Sequence, residues 1–142
     1  MESSILGLIV DSSIAIEAER QHFRVAELLK RIVQEFGDTH IALSAFTVAE
    51  LAHEFYRADN AERRERRREF LDDLIASVPV YSFTQSMVEP FGKISAGSAA
   101  KGVVIPIDDL LIAACALERG YAMLTRNTRH FERVPDLRLV RF

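Results

Sequence analysis

Ile5-Leu6-Gly7-Leu8-Ile9-Val10 runs directly into Asp11-Ser12-Ser13, and this stretch decides the fold class. A short, continuous apolar run reads as a strand buried on both faces, the situation of a strand inside a parallel sheet. An acid and two hydroxyls then end it.

The rest of the chain alternates in the same sense. A helical pattern over roughly residues 22–35 puts Phe23, Ala26, Leu29 and Val33 on one face, with Gly37 marking its end. Ile41-Ala42-Leu43 reads as a second short strand. Val48, Leu51 and Phe55 are spaced as one helix face between Phe46 and Arg57, and a further helix spans about 60–77. Val78-Pro79-Val80-Tyr81 is a third strand, at a sheet edge or a strand start because proline cannot donate to a ladder. Residues 84–101 look helical with a weak point near Pro90 and Gly92. Asp108 to Glu118 is a helix closed by Gly120. Tyr121–Thr125 is the fourth strand and Leu137–Val140 a fifth. Strands alternating with helices predict an α/β fold around a parallel sheet. In such folds ligands sit at the carboxyl ends of the strands.

At 142 residues the chain suits one domain, over 1–142, with no linker, repeat or low-complexity segment. Hydrophobic residues make up 49% and charged residues 27%, with a formal charge of only -3. A polyanionic partner must therefore be met by a local basic surface. The single cysteine, Cys115, excludes an internal disulfide framework and a cysteine-rich zinc site, and its apolar surroundings predict a buried thiol. No apolar stretch approaches the roughly 20 residues needed to span a bilayer. Met1-Glu2-Ser3-Ser4 does not read as a signal peptide, so the cytoplasm is the expected compartment.

Asp11 falls at the carboxyl end of the first strand, Asn127 just after the fourth, and Glu50 and Asp109 each in the first turns of helices. Acids gathered at one sheet edge resist joint ionisation. A divalent cation removes that difficulty, and oxygen-only ligands suit magnesium, or manganese in its place. Each residue also has a purely structural reading. Asp11 could cap the following helix. Thr47-Val48-Ala49-Glu50 has the pattern of a capping box. Asp108 and Asp109 suit the positive end of a helix, with Asp108 the better cap. Asn127 could be a turn residue.

Four segments carry a resemblance. Val10-Asp11-Ser12-Ser13, Thr47-Val48-Ala49-Glu50-Leu51, Ile107-Asp108-Asp109-Leu110-Leu111-Ile112-Ala113-Ala114 and Leu124-Thr125-Arg126-Asn127-Thr128-Arg129-His130-Phe131 resemble the four motifs of PIN-domain nucleases, in the family's order and over nearly the whole chain. The last two are closest to VapC-type toxins of type II toxin–antitoxin systems. The resemblance implies a three-layer α/β/α sandwich with a central, mainly parallel sheet. It implies a magnesium-dependent endoribonuclease with a metal site made by Asp11, Glu50 and Asp109, and Asn127 at the fourth catalytic position. It further implies an RNA substrate, a cognate antitoxin and frequent homodimerisation. Many family members carry an Asp where Asn127 or His130 stands; this chain has neither acid. An amide can hold a metal or a water but supplies no charge.

The densest charged run is Glu62-Arg63-Arg64-Glu65-Arg66-Arg67-Arg68-Glu69, five arginines against three glutamates. It reads first as a solvated helix face with Glu62–Arg66 and Glu65–Arg68 pairs. Arg126 and Arg129, flanking Asn127, are the better candidates for substrate phosphate contacts. No RNA-recognition aromatic motif and no glycine-rich phosphate loop is present. Glu50-Leu51-Ala52-His53 matches the Glu-x-x-His element of di-iron bundles, but that fold needs two such elements, so His53 reads as structural. A phosphatase using an aspartyl nucleophile would want an Asp where Ser13 stands. A phosphoreceiver domain would want a late lysine, and the last is Lys101. The non-enzymatic alternative is a binding module that kept the fold and lost catalysis.

Overall fold

A computed structural model describes residues 5–142. The signal-peptide reading of Met1 to Ser4 lies outside the described residues. Five strands form one sheet in the order β3-β2-β1-β4-β5, parallel throughout. The strands are β1 (Gly7–Val10), β2 (His40–Ser44), β3 (Val80–Tyr81), β4 (Ala122–Thr125) and β5 (Leu139–Arg141). The helices are α1 (Ser12–Arg20), α2 (Val25–Phe36), α3 (Ala45–Tyr56), α4 (Ala61–Ser77), α5 (Val88–Ala100) and α6 (Ile107–Arg119).

The apolar run at the start of the chain is the central strand. Leu8 and Val10 join a core with Ile14 and Ala18 of α1, Leu28 and Ile32 of α2, and Leu74 of α4. Ile9 points the other way, into a core with Ala42, Met123 and Ile112, Ala114 and Cys115 of α6. The period-2 alternation of β1 thus serves two apolar cores, one on each face, and the architecture is the expected α/β/α sandwich. Gly7 has a packing reason: a Cβ there would stand 2.5 Å from Cζ of Tyr121. Cys115 is buried, as read from its neighbours.

Several elements differ from their sequence reading. The single helix expected over 22–35 is preceded by a separate helix, α1. His22, at φ 59°, breaks the chain between the two, and α2 starts only at Val25. The weak point expected at Pro90 does not appear. Pro90 is the third residue of α5, where a backbone N–H has no intrahelical acceptor to lose. Val80–Tyr81 is an edge strand on β2, as Pro79 suggested. The arginines of α4 do not form the expected Glu62–Arg66 and Glu65–Arg68 pairs. Arg66 and Arg67 reach across to the buried Glu19 of α1 at 3.2 and 3.7 Å, while Arg63 and Arg68 pair with Asp59 and Asp72. That run therefore ties α4 to α1. No helix among the described residues is long and apolar enough to cross a membrane.

Candidate active site

The strand order reverses direction at β1: the chain passes from β1 to β2 on one side and returns to β4 on the other. A crevice at the carboxyl ends of β1 and β4 is the site such a topology provides. Val10 pairs with Leu124, and the Asp11 N–H donates to the Leu124 carbonyl at 2.9 Å, so Asp11 and Thr125 leave the sheet side by side. Helix α3 packs against α1, α4 and α6, and Glu50 on it feels the charges of Asp108 and Asp109, in the first turn of α6, and of Asp11, before α1.

Asp11 is only 6% exposed. It occupies the N-cap position of α1 by backbone angles, yet its side chain makes no capping bond. Instead Oδ2 accepts from Ser13 Oγ at 2.7 Å and from Thr125 Oγ1 at 2.8 Å. With both hydroxyl protons committed to Asp11, each oxygen accepts from backbone: Arg126 N–H donates to Ser13 Oγ at 3.1 Å and Asn127 N–H to Thr125 Oγ1 at 3.0 Å. The two hydroxyls fix the carboxylate and tie the turn after β4 to it, while Oδ1 stays outside these bonds. Replacing Thr125 by Val should cost about 1–3 kcal/mol of stability in urea unfolding, because a buried carboxylate oxygen loses a donor and the Asn127 N–H its acceptor. Unchanged stability would mean that the pair is not formed.

The capping-box reading of Glu50 does not hold. The cap of α3 is Ser44, whose Oγ accepts from Phe46 N–H at 3.2 Å. Glu50 is the sixth helical residue. Its Oε1 is buried without a hydrogen-bond partner, as is Oγ1 of Thr47. Burial pushes the Glu50 carboxyl up to about 7, reinforced by the negative charges of Asp108, Asp11 and Asp109. Burial likewise raises Asp109 to about 6, with Asp108 and Asp11 adding to it and His130 opposing. Asp11, Glu50 and Asp109 therefore feel one another's charge.

Asp108 belongs to the same field, which its reading as a cap missed: the N-cap of α6 is Pro106, and both acids lie in the first turn. His130 also escaped the sequence reading as a neighbour of Asp109. Its only signal was its place where relatives carry an acid. Asn127 is exposed and sits at the start of a short 3-10 turn, Thr128–His130, making no side-chain cap. Arg126 pairs with Glu17 at 3.6 Å, and Arg129 is exposed without a carboxylate partner among the described residues. His53 is exposed on α3 rather than packed in a core.

Among the described residues no three of His, Cys, Asp and Glu stand close enough to enclose a bare metal ion. The donor chemistry nevertheless fits an open, hydrated one. Burial raises the Glu50 and Asp109 carboxyls, and the negative charges of Asp108 and Asp11 raise both further, so the cluster favours an added positive charge. Oxygen donors at an open site suit magnesium, which keeps several of its waters.

The PIN domain family model matches residues 8–137. Ribonuclease VapC2 of Haemophilus influenzae is 31% identical over 134 residues, covering 94% of this chain and 96% of that protein. The tRNA(fMet)-specific endonuclease VapC of Shigella flexneri is 31% identical over 98 residues, covering 69% of this chain and 72% of its own. Among solved structures, VapBC2 of Rickettsia felis bound to a promoter DNA fragment matches with a TM-score of 0.81 at 23% identity, covering 96% of this chain and 98% of that one. VapBC-1 of nontypeable Haemophilus influenzae matches with a TM-score of 0.78, also at 23% identity, covering 95% and 97%. At these identities the structural likeness is one of fold.

Proposed function

This chain belongs to the PIN domain family, and we propose that it is a magnesium-dependent endoribonuclease, the toxin of a toxin–antitoxin pair. The observation that carries the reading is the set of buried Asp11 and half-buried Glu50 and Asp109, close enough for their charges to act on one another, at the strand-order reversal. These three residues would hold the cation. When bound, magnesium (or manganese) supplies an activated water and charge neutralisation on the phosphodiester.

The chain's own residues do the rest. Asp11 is held rigid by Ser13 and Thr125, so a ligand oxygen is pre-positioned rather than recruited. Glu50 and Asp109, whose carboxyls burial and neighbouring acids raise to about 7 and about 6, would be held in the ionised form by a bound cation. Asn127 and Arg129, exposed in the segment that follows β4, would meet phosphate oxygens. Arg126 can do so on releasing Glu17, a partly exposed pair that costs little to open.

Relatives named as ribonucleases support RNA as the substrate. Solved VapBC assemblies of the same fold support a cognate antitoxin. The proposal includes a homodimer acting in the cytoplasm as one domain over 1–142.

The chemistry is tested on the ends of the cleaved RNA. Attack by water needs no 2′-hydroxyl, so the chain should also cut a strand carrying 2′-O-methyl groups at the cleavage site, and no 2′,3′-cyclic phosphate should form. Cyclic-phosphate ends would assign attack to the ribose hydroxyl and remove the reading.

A further inference from the structure

Thr47 is wholly buried on α3, and Oγ1 has no hydrogen-bond partner. Three residues on, Oε1 of Glu50 is buried and equally unpartnered. Residues three apart on a helix are neighbours on one face. Two orphaned polar atoms one turn apart form a pair of known complementarity: a hydroxyl that can donate and a carboxylate oxygen that can only accept. Leaving either bare is costly, so a fold that keeps both has a use for them. Neither serves as a cap, since Ser44 already caps this helix.

We propose that Thr47 is a positioning residue for Glu50, its hydroxyl joined to Oε1 through one buried water. The water accepts from Thr47 Oγ1 and donates to Glu50 Oε1. Thr47 Oγ1 and Glu50 Oε1 are the two polar partners that a buried water needs at the least. The bridge fixes Oε1 of Glu50 and leaves the other oxygen, which faces Asp108, on the side where the cation would enter, as Ser13 and Thr125 fix Oδ2 of Asp11 and leave Oδ1. Each acid would then be gripped on one side and open on the other. The role rests on the metal reading given above, whereas the bridge itself does not.

Two measurements test it. A high-resolution crystal structure of the metal-free chain should show a water within hydrogen-bond distance, about 3 Å, of both Thr47 Oγ1 and Glu50 Oε1. Thr47 Oγ1 turned onto the Leu43 carbonyl, four residues back, with no water present would overturn the bridge. Calorimetric titration of the RNA-free protein with manganese tests the role. Thr47→Val keeps the shape and removes the hydroxyl, and should weaken manganese binding about 10–100-fold, while Thr47→Ser stays near wild type. Circular dichroism verifies that metal-free Thr47→Val is folded, and the near-wild-type binding expected of Thr47→Ser separates positioning by the hydroxyl from packing. Thr47→Val binding manganese as wild type does would overturn the role alone. A wild-type chain that binds no manganese would overturn the metal reading and this role with it.

Discussion

Asp11→Asn and Asp109→Asn are each expected to lower RNA cleavage by at least about a hundredfold, since a ligand charge acting on the transition state is worth several kcal/mol. Both changes keep side-chain volume, and their structural costs differ. Asn at position 11 can still accept from Ser13 and Thr125 through its amide oxygen if that oxygen takes the place of Oδ2. Asn at position 109 relieves repulsion in the first turn of α6 and leaves folding unharmed. Asp108→Asn should lose much less, because it removes a negative neighbour of Glu50 and Asp109 while leaving all three proposed ligands in place. Single-turnover cleavage at saturating magnesium, with circular dichroism to verify folding, measures all three. Wild-type rates in Asp109→Asn would remove it from the metal site.

Glu50→Gln should disable the site and stabilise the protein at the same time. The folded-state carboxyl titrates at about 7 against an ordinary 4.5. Between those pH values the folded chain binds more protons than the unfolded one, so stability falls as pH rises. The contribution is fully present below 4.5 and lost as pH passes 7. Asp109, raised from 3.8 to about 6, has the same sign over a lower window. The metal-free wild type should therefore melt lower at pH 8 than at pH 5.5. Glu50→Gln, having no charge to bury, should flatten that slope and melt roughly 3–6 °C above wild type at pH 8, a modest figure because the site is partly open to solvent. Magnesium should raise the melting temperature of wild type at pH 8 and have much less effect on the variant. A Glu50→Gln protein that melts below wild type at pH 8 would show that the acid is structural.

The parts of the fold legible in the sequence are those where local pattern and tertiary environment agree. The apolar run of β1, the Gly120 stop after α6 and the Pro79 edge strand each carry their own physical signature. Helix α1 was not legible as a separate element, because its break depends on the positive φ of His22, a residue with no glycine-like signal. Pro90 misled in the opposite direction: a helix start tolerates it, and the start is fixed by the preceding 3-10 turn, Gln85–Met87. In the site, Asp11 could be read from its place at a strand end and Asp109 from its place in a first helical turn, whereas Glu50, expected in a first turn, lies a turn further into α3. The supports of these acids could not be read. Thr125 meets Asp11 across 114 residues only because β4 lies beside β1, and Glu19 receives Arg66 from 47 residues away. Such pairs follow from strand order and helix packing, which no local window contains. The capping-box pattern at Thr47 was real as a pattern and wrong as geometry, since Ser44 starts the helix three residues earlier.

The central claim is that the acid set Asp11, Glu50 and Asp109 makes this chain a metal-dependent ribonuclease. The most direct test is cleavage of total bacterial RNA by the purified chain, first stripped with chelator and then titrated with magnesium, beside Asp109→Asn prepared identically. The account predicts no cleavage in chelator, restoration by magnesium or manganese in wild type, and none in Asp109→Asn. Cleavage that persists in chelator would contradict it, and so would a folded wild-type chain that leaves every RNA intact at any magnesium concentration, the behaviour of a binding module that has kept the fold alone.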